Sequence, residues 1–147
     1  MKEREEYKQI MEKAIQAFNE RGKDFLPGKL GIVVTDVGTG TFAVQLAVTT
    51  SHLAPNGFLH AGSVVTLADT ACGYGCIANL PEGAANFTTV ELKSNFIGTA
   101  REGMIECEAR LVHGGRTTQV WDATVMHRDT GKVIAMFRCT QMILWPK

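Results

Sequence analysis

Eighteen consecutive residues, Ala61 to Ala78, carry a single charge, Asp69, and are apolar or small at nearly every other position. A helix on a protein surface keeps a polar face, so a segment apolar all round belongs inside a domain. Its length approaches that of a membrane span, but Asp69 and the scattered Ser, Thr and Gly argue against one. A carboxylate in the middle of a buried helix is costly unless something satisfies it or uses it. Asp69 is therefore the residue to explain.

The flanking sequence says how such a helix is buried. From Glu3 to Arg21, Tyr7, Ile10, Met11, Ala14, Ile15 and Phe18 recur at helical steps between Lys and Glu, with Gly22 as the stop. This is an amphipathic helix, read as packing on the domain's flank in preference to a lid over a ligand. Phe25-Leu-Pro-Gly28 reads as a turn. Leu30 to Val37 and Thr41 to Thr50 are rich in Val, Ile, Thr and Phe around Val37-Gly-Thr-Gly40, a hairpin signal. Ser51 to Asn56 forms a loop with His52 and Pro55 that leads into the apolar segment.

Leu80-Pro-Glu-Gly83 ends the helix region, and four strand-like runs follow: Asn86 to Ile97, Gly103 to His113, Thr117 to Arg128 and Lys132 to Leu144. In the second, Ile105, Cys107, Ala109 and Leu111 alternate with Glu106, Glu108 and Arg110, as in an antiparallel sheet with one solvated face. The turns between runs are short enough for antiparallel neighbours. The order is helix, two strands, buried helix, four strands. The expected class is α+β, with a sheet curled around the apolar helix. Residues 1–24 form the N-terminal amphipathic helix and residues 25–147 the main domain.

Composition narrows the function classes. Fifteen basic and fifteen acidic residues offer no net pull toward nucleic acid or an anionic membrane. The charged N-terminus lacks the apolar core of a signal peptide. The four cysteines show no metal-type spacing, and Cys72 and Cys76, one helical turn apart, read as small hydrophobes. A soluble, reduced, cytoplasmic protein without a bound metal is expected.

Three features of the central stretch suggest chemistry. Gly57 and Gly62 flank His60, so the chain can turn tightly near the helix start. The first N–H groups of a helix lack intrahelical partners and can polarise a carbonyl. Asp69 follows two turns later, roughly 10 Å along the axis. Together these resemble the parts of an acyl-transfer site: an electrophile held by backbone amides, and a carboxylate as base or nucleophile. Each part also has a plainer reading, with Asp69 bonded to a strand, His60 a satisfied core histidine and the glycines serving packing. No serine or cysteine completes a triad with His60 and Asp69, and Cys72 has no local support as a nucleophile.

His60-Ala-Gly-Ser-Val-Val-Thr-Leu-Ala-Asp69, followed by Thr70-Ala71, resembles the His-Gly-Gly-x6-Asp motif of the hotdog-fold acyl-coenzyme A (CoA) thioesterases of the phenylacetic-acid-degradation (PaaI-like) type. Thr88 to Ala100, Gly103 to Arg116 and Asp129 to Ala135 are similar to the family's strand after the helix, its next strand with a Gly-Arg turn, and its last hairpin. The likeness runs in consistent order from residue 25 to 145.

The resemblance implies a six-stranded antiparallel sheet wrapped around the central helix, homodimers joined through their sheets, pairing of dimers into tetramers, and active sites at the dimer interface. It implies Asp69 as the carboxylate that activates water or attacks the thioester. The N–H of Ala61, with that of Gly62, would polarise the carbonyl, with His60 opening the motif and Thr89 holding the attacking water. Two positions depart from the pattern. Ala61 stands where the family has its first Gly, and the family's upstream Asn or Gln falls on Ala54, leaving Asn56 as the substitute. The CoA phosphates are expected at Gly115 and Arg116, Arg101 or Lys93, because Arg can fork onto phosphate. No cofactor is expected, CoA being part of the substrate. The expected activity is hydrolysis of an acyl- or aryl-CoA thioester. The alternatives are a non-catalytic acyl-CoA binding or sensing module and a hotdog dehydratase or hydratase.

Overall fold

Helix α3 (Ala61–Ala78) is the axis of the fold, and one six-stranded antiparallel sheet packs around it so that every strand touches it. The computed structural model describes residues 1–147. Ahead of α3 come α1 (Lys2–Gly22), the short α2 (Leu26–Leu30), β1 (Val33–Gly38), β2 (Thr41–Ala47) and a 3-10 turn at Thr50–His52. After it come β3 (Asn86–Phe96), β4 (Met104–Gly114), β5 (Thr118–His127) and β6 (Val133–Leu144). The sheet order is β1-β2-β4-β5-β6-β3, so the chain leaving α3 crosses to the far edge before the meander of β4, β5 and β6 fills the middle. This is the architecture that the resemblance implies. No helix is long and apolar enough to cross a membrane.

The apolar character of α3 has a direct structural cause. Val64, Leu67, Ala68, Ala71, Cys72 and Cys76 are fully enclosed by inward residues of the sheet, among them Phe42, Leu46, Ile105, Trp121, Val125 and Ile134. Burying each Val, Leu, Ile or Phe among them contributes about 1.5–3 kcal/mol. Small residues let the helix lie close. A Cβ at Gly75 would come within 2.8 Å of the Trp121 ring, so that glycine sets the helix–sheet spacing. The alternation expected in β4 holds, with Ile105, Cys107 and Ala109 buried and Glu108 and Arg110 exposed.

The two sheet edges are treated differently. At the β1 edge, Asn19 of α1 imitates a strand: its Oδ1 accepts from the Val34 N–H at 2.7 Å and its Nδ2 donates to the Val34 carbonyl at 3.1 Å. Phe18 packs edge-on against Phe42, centroids 5.1 Å apart, and fixes the helix over that edge. The β3 edge has no such cover, and Val90, Leu92 and Phe96 are 49%, 40% and 46% exposed there. An open edge with apolar side chains is a template for another chain.

Three local expectations change. Phe25 to Gly28 is not a plain turn: Pro27, well placed in a first helical turn, starts α2, which Gly31 ends with φ 86°. Leu30 therefore belongs to α2, and β1 begins at Val33. β2 stops at Ala47, because Thr49 and His52 cap a 3-10 turn that draws the next residues out of the ladder. In α1 the apolar stripe is used only in its second half: Ala14, Ile15 and Phe18 pack on the core while Tyr7 and Ile10 stay exposed.

Candidate active site

The start of α3 is built around His60. Its backbone is extended (φ −64°, ψ 132°), and it occupies the N-cap position. Its Nδ1 accepts the Gly62 N–H at 2.7 Å, and its carbonyl accepts the N–H groups of Ser63 (3.0 Å) and Val64 (3.3 Å). Of the first four helical donors, only the N–H of Ala61 is left unpaired. Gly62 does not serve a turn, since a Cβ there would meet His60 Nδ1 at 2.9 Å; it makes room for the capping ring. The left-handed turn lies upstream at Gly57, with φ 86°. Ala61 has no positive φ, so its methyl imposes no backbone strain.

The unpaired amide borders a cavity of about 440 Å³ lined by Phe58, Leu59, Ala61, Val64, Phe96 and Thr99. Thr99 Oγ1 accepts the Leu59 N–H at 3.0 Å and ties the loop before α3 to the segment after β3. The Arg101 guanidinium lies over the Phe58 ring, 5.5 Å from its centroid. The arrangement has one free amide donor, apolar walls and a cation nearby, which suits an apolar group ending in a polar carbonyl.

Asp69 stands two turns further along and is half-buried. Thr89 Oγ1 is 3.3 Å from its Oδ1. Burial raises the Asp69 carboxyl above its ordinary range, and the Thr89 hydroxyl partly opposes that. A carboxylate raised this way is a stronger base than an exposed aspartate. β3 reaches this position through a bulge between Thr89 and Glu91. One extra residue reverses the alternation, so Thr89 faces α3 and, further on, Phe96 reaches the cavity. Glu91 faces the other way and accepts from the exposed Thr140 hydroxyl at 2.7 Å.

Ala61 and Asp69 are eight residues apart on one straight element, about 12 Å along its axis. Reacting atoms need to approach to about 3–3.5 Å. A small carbonyl on the Ala61 amide is therefore out of reach of Asp69 in the same chain.

The remaining sequence candidates are dispersed. Asn56 is exposed, and its Oδ1 accepts the Phe58 N–H at 3.2 Å within its own loop. Lys93 lines a shallow depression on the outer face of the sheet with Asp122 and Arg138. Gly115 and Arg116 sit at the opposite end of α3, near its C-cap Asn79. Gly115 donates to the Thr118 carbonyl at 2.9 Å, and Arg116 stacks on Trp145, 4.8 Å from the ring centroid. The neighbouring Cys139 thiol and burial hold the Cys72 thiol far above the thiolate range, which argues against a nucleophile there. Burial likewise pushes Cys76 up to about 12.

One polar residue at the site was missed in the sequence reading. Gln141 of β6 is fully buried, with Oε1 2.7 Å from Thr89 Oγ1. The signal was available: Gln141 falls on the inward parity of β6 between Cys139 and Ile143, where every other side chain is apolar.

Comparison with known proteins agrees with this fold. Residues 56–134, from the loop before α3 into the start of β6, match the Thioesterase superfamily. A 1,4-dihydroxy-2-naphthoyl-CoA hydrolase of Listeria monocytogenes is 32% identical over 111 residues, covering 76% of this chain and 89% of the relative. The acyl-coenzyme A thioesterase PaaI of Escherichia coli is 29% identical over 110 residues, 74% of this chain and 75% of that protein. Among solved structures, a mutant of thioesterase PA1618 from Pseudomonas aeruginosa superposes with a TM-score of 0.83 at 26% identity, covering 88% of this chain and 93% of its own.

Proposed function

The chain belongs to the thioesterase superfamily and is a thioester hydrolase of the hotdog fold, and from that premise we propose that it hydrolyses an acyl- or aryl-CoA thioester with Asp69 as the catalytic carboxylate. The carrying observation is that α3 presents two complementary groups. One is an unpaired Ala61 N–H beside an apolar cavity; the other is a half-buried carboxylate supported by Thr89. In this reading the acyl group enters the cavity between Phe58 and Phe96, and the Ala61 amide takes the charge that develops on the thioester oxygen. Asp69 then removes a proton from water, or itself attacks the carbonyl carbon, while Thr89 orients the attacking species.

The separation of about 12 Å along the helix supports reading this as a site of two chains, with Ala61 from one and Asp69 from a second copy. The open β3 edge supports that arrangement. A two-fold pairing of β3 with its copy, centred near Leu92 and Lys93, sets Phe96 opposite Thr89 of the copy, and so brings the cavity to the copy's Asp69. The same pairing brings Asn86, beside Leu144 at the Arg116–Trp145 end, opposite Thr99 of the copy. Arg101 and Arg116 are therefore our candidates for the CoA phosphates. A homodimer, further paired into a tetramer, is the proposed assembly. Four unpaired buried thiols accord with work in the reducing cytoplasm, where acyl-CoA is found.

The test is a panel of short, long and aromatic acyl-CoA thioesters assayed for released thiol, with wild type and Asp69→Ala. Turnover on at least one ester, lost by orders of magnitude in the variant, is expected. Tight binding without hydrolysis across the panel, or full activity of Asp69→Ala, overturns the proposal.

A further inference from the structure

Behind Asp69 the hydrogen bonding continues into the core. Thr89 Oγ1 lies 3.3 Å from Asp69 Oδ1 and 2.7 Å from Gln141 Oε1, yet a hydroxyl has one proton and cannot donate to both. Thr89 and Gln141 face each other across the β3–β6 ladder. The other end of the Gln141 carboxamide, Nε2, is 3.4 Å from Cys139 Sγ. The Cys139 thiol in turn neighbours that of Cys72, three residues beyond Asp69 on α3. Asp69, Thr89, Gln141 and Cys139 thus form one chain, and its last two members are fully buried.

Each interior member of the chain both gives and takes a hydrogen bond, so the donors must all point the same way. An ionised Asp69 only accepts. Thr89 then donates to it, Gln141 must donate from Nε2 to Thr89, and Oε1 turns to accept from the Cys139 S–H. A protonated Asp69 can donate to Thr89. The hydroxyl then donates to Gln141 Oε1 and Nε2 donates to Cys139, which is the orientation seen here. The two states differ by a half-turn of one carboxamide and rotation of hydroxyl and thiol protons. No proton leaves any of these groups, and the only net change is the one Asp69 takes from water.

We infer that Gln141 is a positioning residue for Asp69, turning its carboxamide end for end so that Thr89 stays hydrogen-bonded to the carboxylate in both protonation states. This rests on the proposed role of Asp69 and deepens it. A general base passes through both states in each cycle, and a fixed partner would favour only one of them. The fully buried Cys139 thiol closes the far end without introducing a charge, and the buried Cys72 thiol lies beside it. Besides these, the titratable groups beside the chain are Cys76 of α3 and Cys107 of β4, both buried. Glu91 and Lys93 of β3 and Arg138 of β6 lie on the outer face, with Thr140 and Asp122 as neighbours.

Two measurements test the inference. In wild type, the side-chain amide resonances of Gln141 are followed by NMR through the titration of the Asp69 carboxyl carbon. They should shift with the same midpoint and stay still in Asp69→Asn. In steady-state kinetics, Gln141→Met should lower kcat about tenfold with KM within about twofold, the upper end of what one neutral hydrogen bond contributes. The acid limb of its kcat/KM profile should move to higher pH. In a Thr89→Val background the same substitution should move that limb no further, because Gln141 acts through the hydroxyl. A Gln141 amide that ignores the Asp69 titration overturns the inference whether or not Gln141→Met folds, and so does an unmoved acid limb in a folded Gln141→Met. The NMR readout needs no turnover. Full activity of Asp69→Asn would sink the proposed function instead, so the two failures are told apart.

Discussion

Replacing Ala61 by proline deletes one hydrogen-bond donor and little else. Ala61 is the first residue of α3, where proline is favoured and its missing N–H breaks no intrahelical bond. The preceding residue must be extended, and His60 already is, at φ −64° and ψ 132°. The cap formed by His60 Nδ1 and the Gly62 N–H is untouched. Folding stability should therefore change by no more than about 0.5 kcal/mol, as for a neutral surface change. Losing one oxyanion donor costs kcat roughly 10²–10³-fold, or about 2.7–4 kcal/mol. The assay is thiol release from the best acyl-CoA of the panel, paired with a thermal unfolding curve. Wild-type kcat in a folded Ala61→Pro refutes the assignment of the Ala61 amide, and a collapsed unfolding midpoint refutes the account of the helix start. Mixing Ala61→Pro with Asp69→Asn protomers then separates a one-chain from a two-chain site. In a two-fold dimer, random exchange places one intact Ala61–Asp69 pair in half of the dimers, restoring about a quarter of wild-type activity. No recovery after proven exchange refutes the shared site.

Asp69→Asn should raise stability at neutral pH while removing activity. Burial lifts the folded carboxyl pKa above its unfolded value, so the folded chain holds its proton more tightly; the stability linked to it is fully present below the unfolded pKa and lost as pH rises through the folded one. The advantage of the Asn variant should shrink as pH falls through the raised folded pKa and be gone below the ordinary aspartate range, and denaturant midpoints against pH that run parallel for both proteins would contradict this. Gly75→Val would drive a Cβ to within 2.8 Å of the buried Trp121 ring and should cost about 1–3 kcal/mol, read as a thermal midpoint lowered by about 2–4 °C per kcal/mol; an unchanged midpoint would mean the helix–sheet spacing is not set there. Leu92→Arg puts a charge on the open β3 edge and should yield a smaller species by sedimentation with little turnover, although Ala61 and Asp69 are unaltered. Unchanged mass and activity would place the interface elsewhere.

Much of the fold was legible because its signals are local. An apolar run with one charge specifies a buried helix wherever it occurs, and the alternation of Ile105, Cys107 and Ala109 with charged residues specifies a half-solvated strand from period alone. The reading of Phe25 to Gly28 as a turn failed because proline and glycine punctuate short helices as well as turns, and only the packing around them separates the two. At the site, the role of Asp69 was suggested by its helix, but its Thr89 partner came only from the motif resemblance. Gln141 was passed over because one polar residue on an apolar face carries no local instruction about its partner.

The sequence by itself determined the central helix, the antiparallel strands after it and the placing of one carboxylate inside the domain. Those are properties of neighbouring residues in the chain, read through period and composition. Tertiary structure alone decided that the His60 ring takes the Gly62 amide and leaves that of Ala61 free, and that a bulge turns Thr89 toward α3. It also decided that Gln141 stands behind Thr89. Thr89 is 20 residues from Asp69 and 52 from Gln141, and such contacts exist only once β3 has crossed the sheet to lie beside β6. Pairing across that distance depends on register, where a slip of one residue exchanges the faces of a strand, and register is settled by the assembled core.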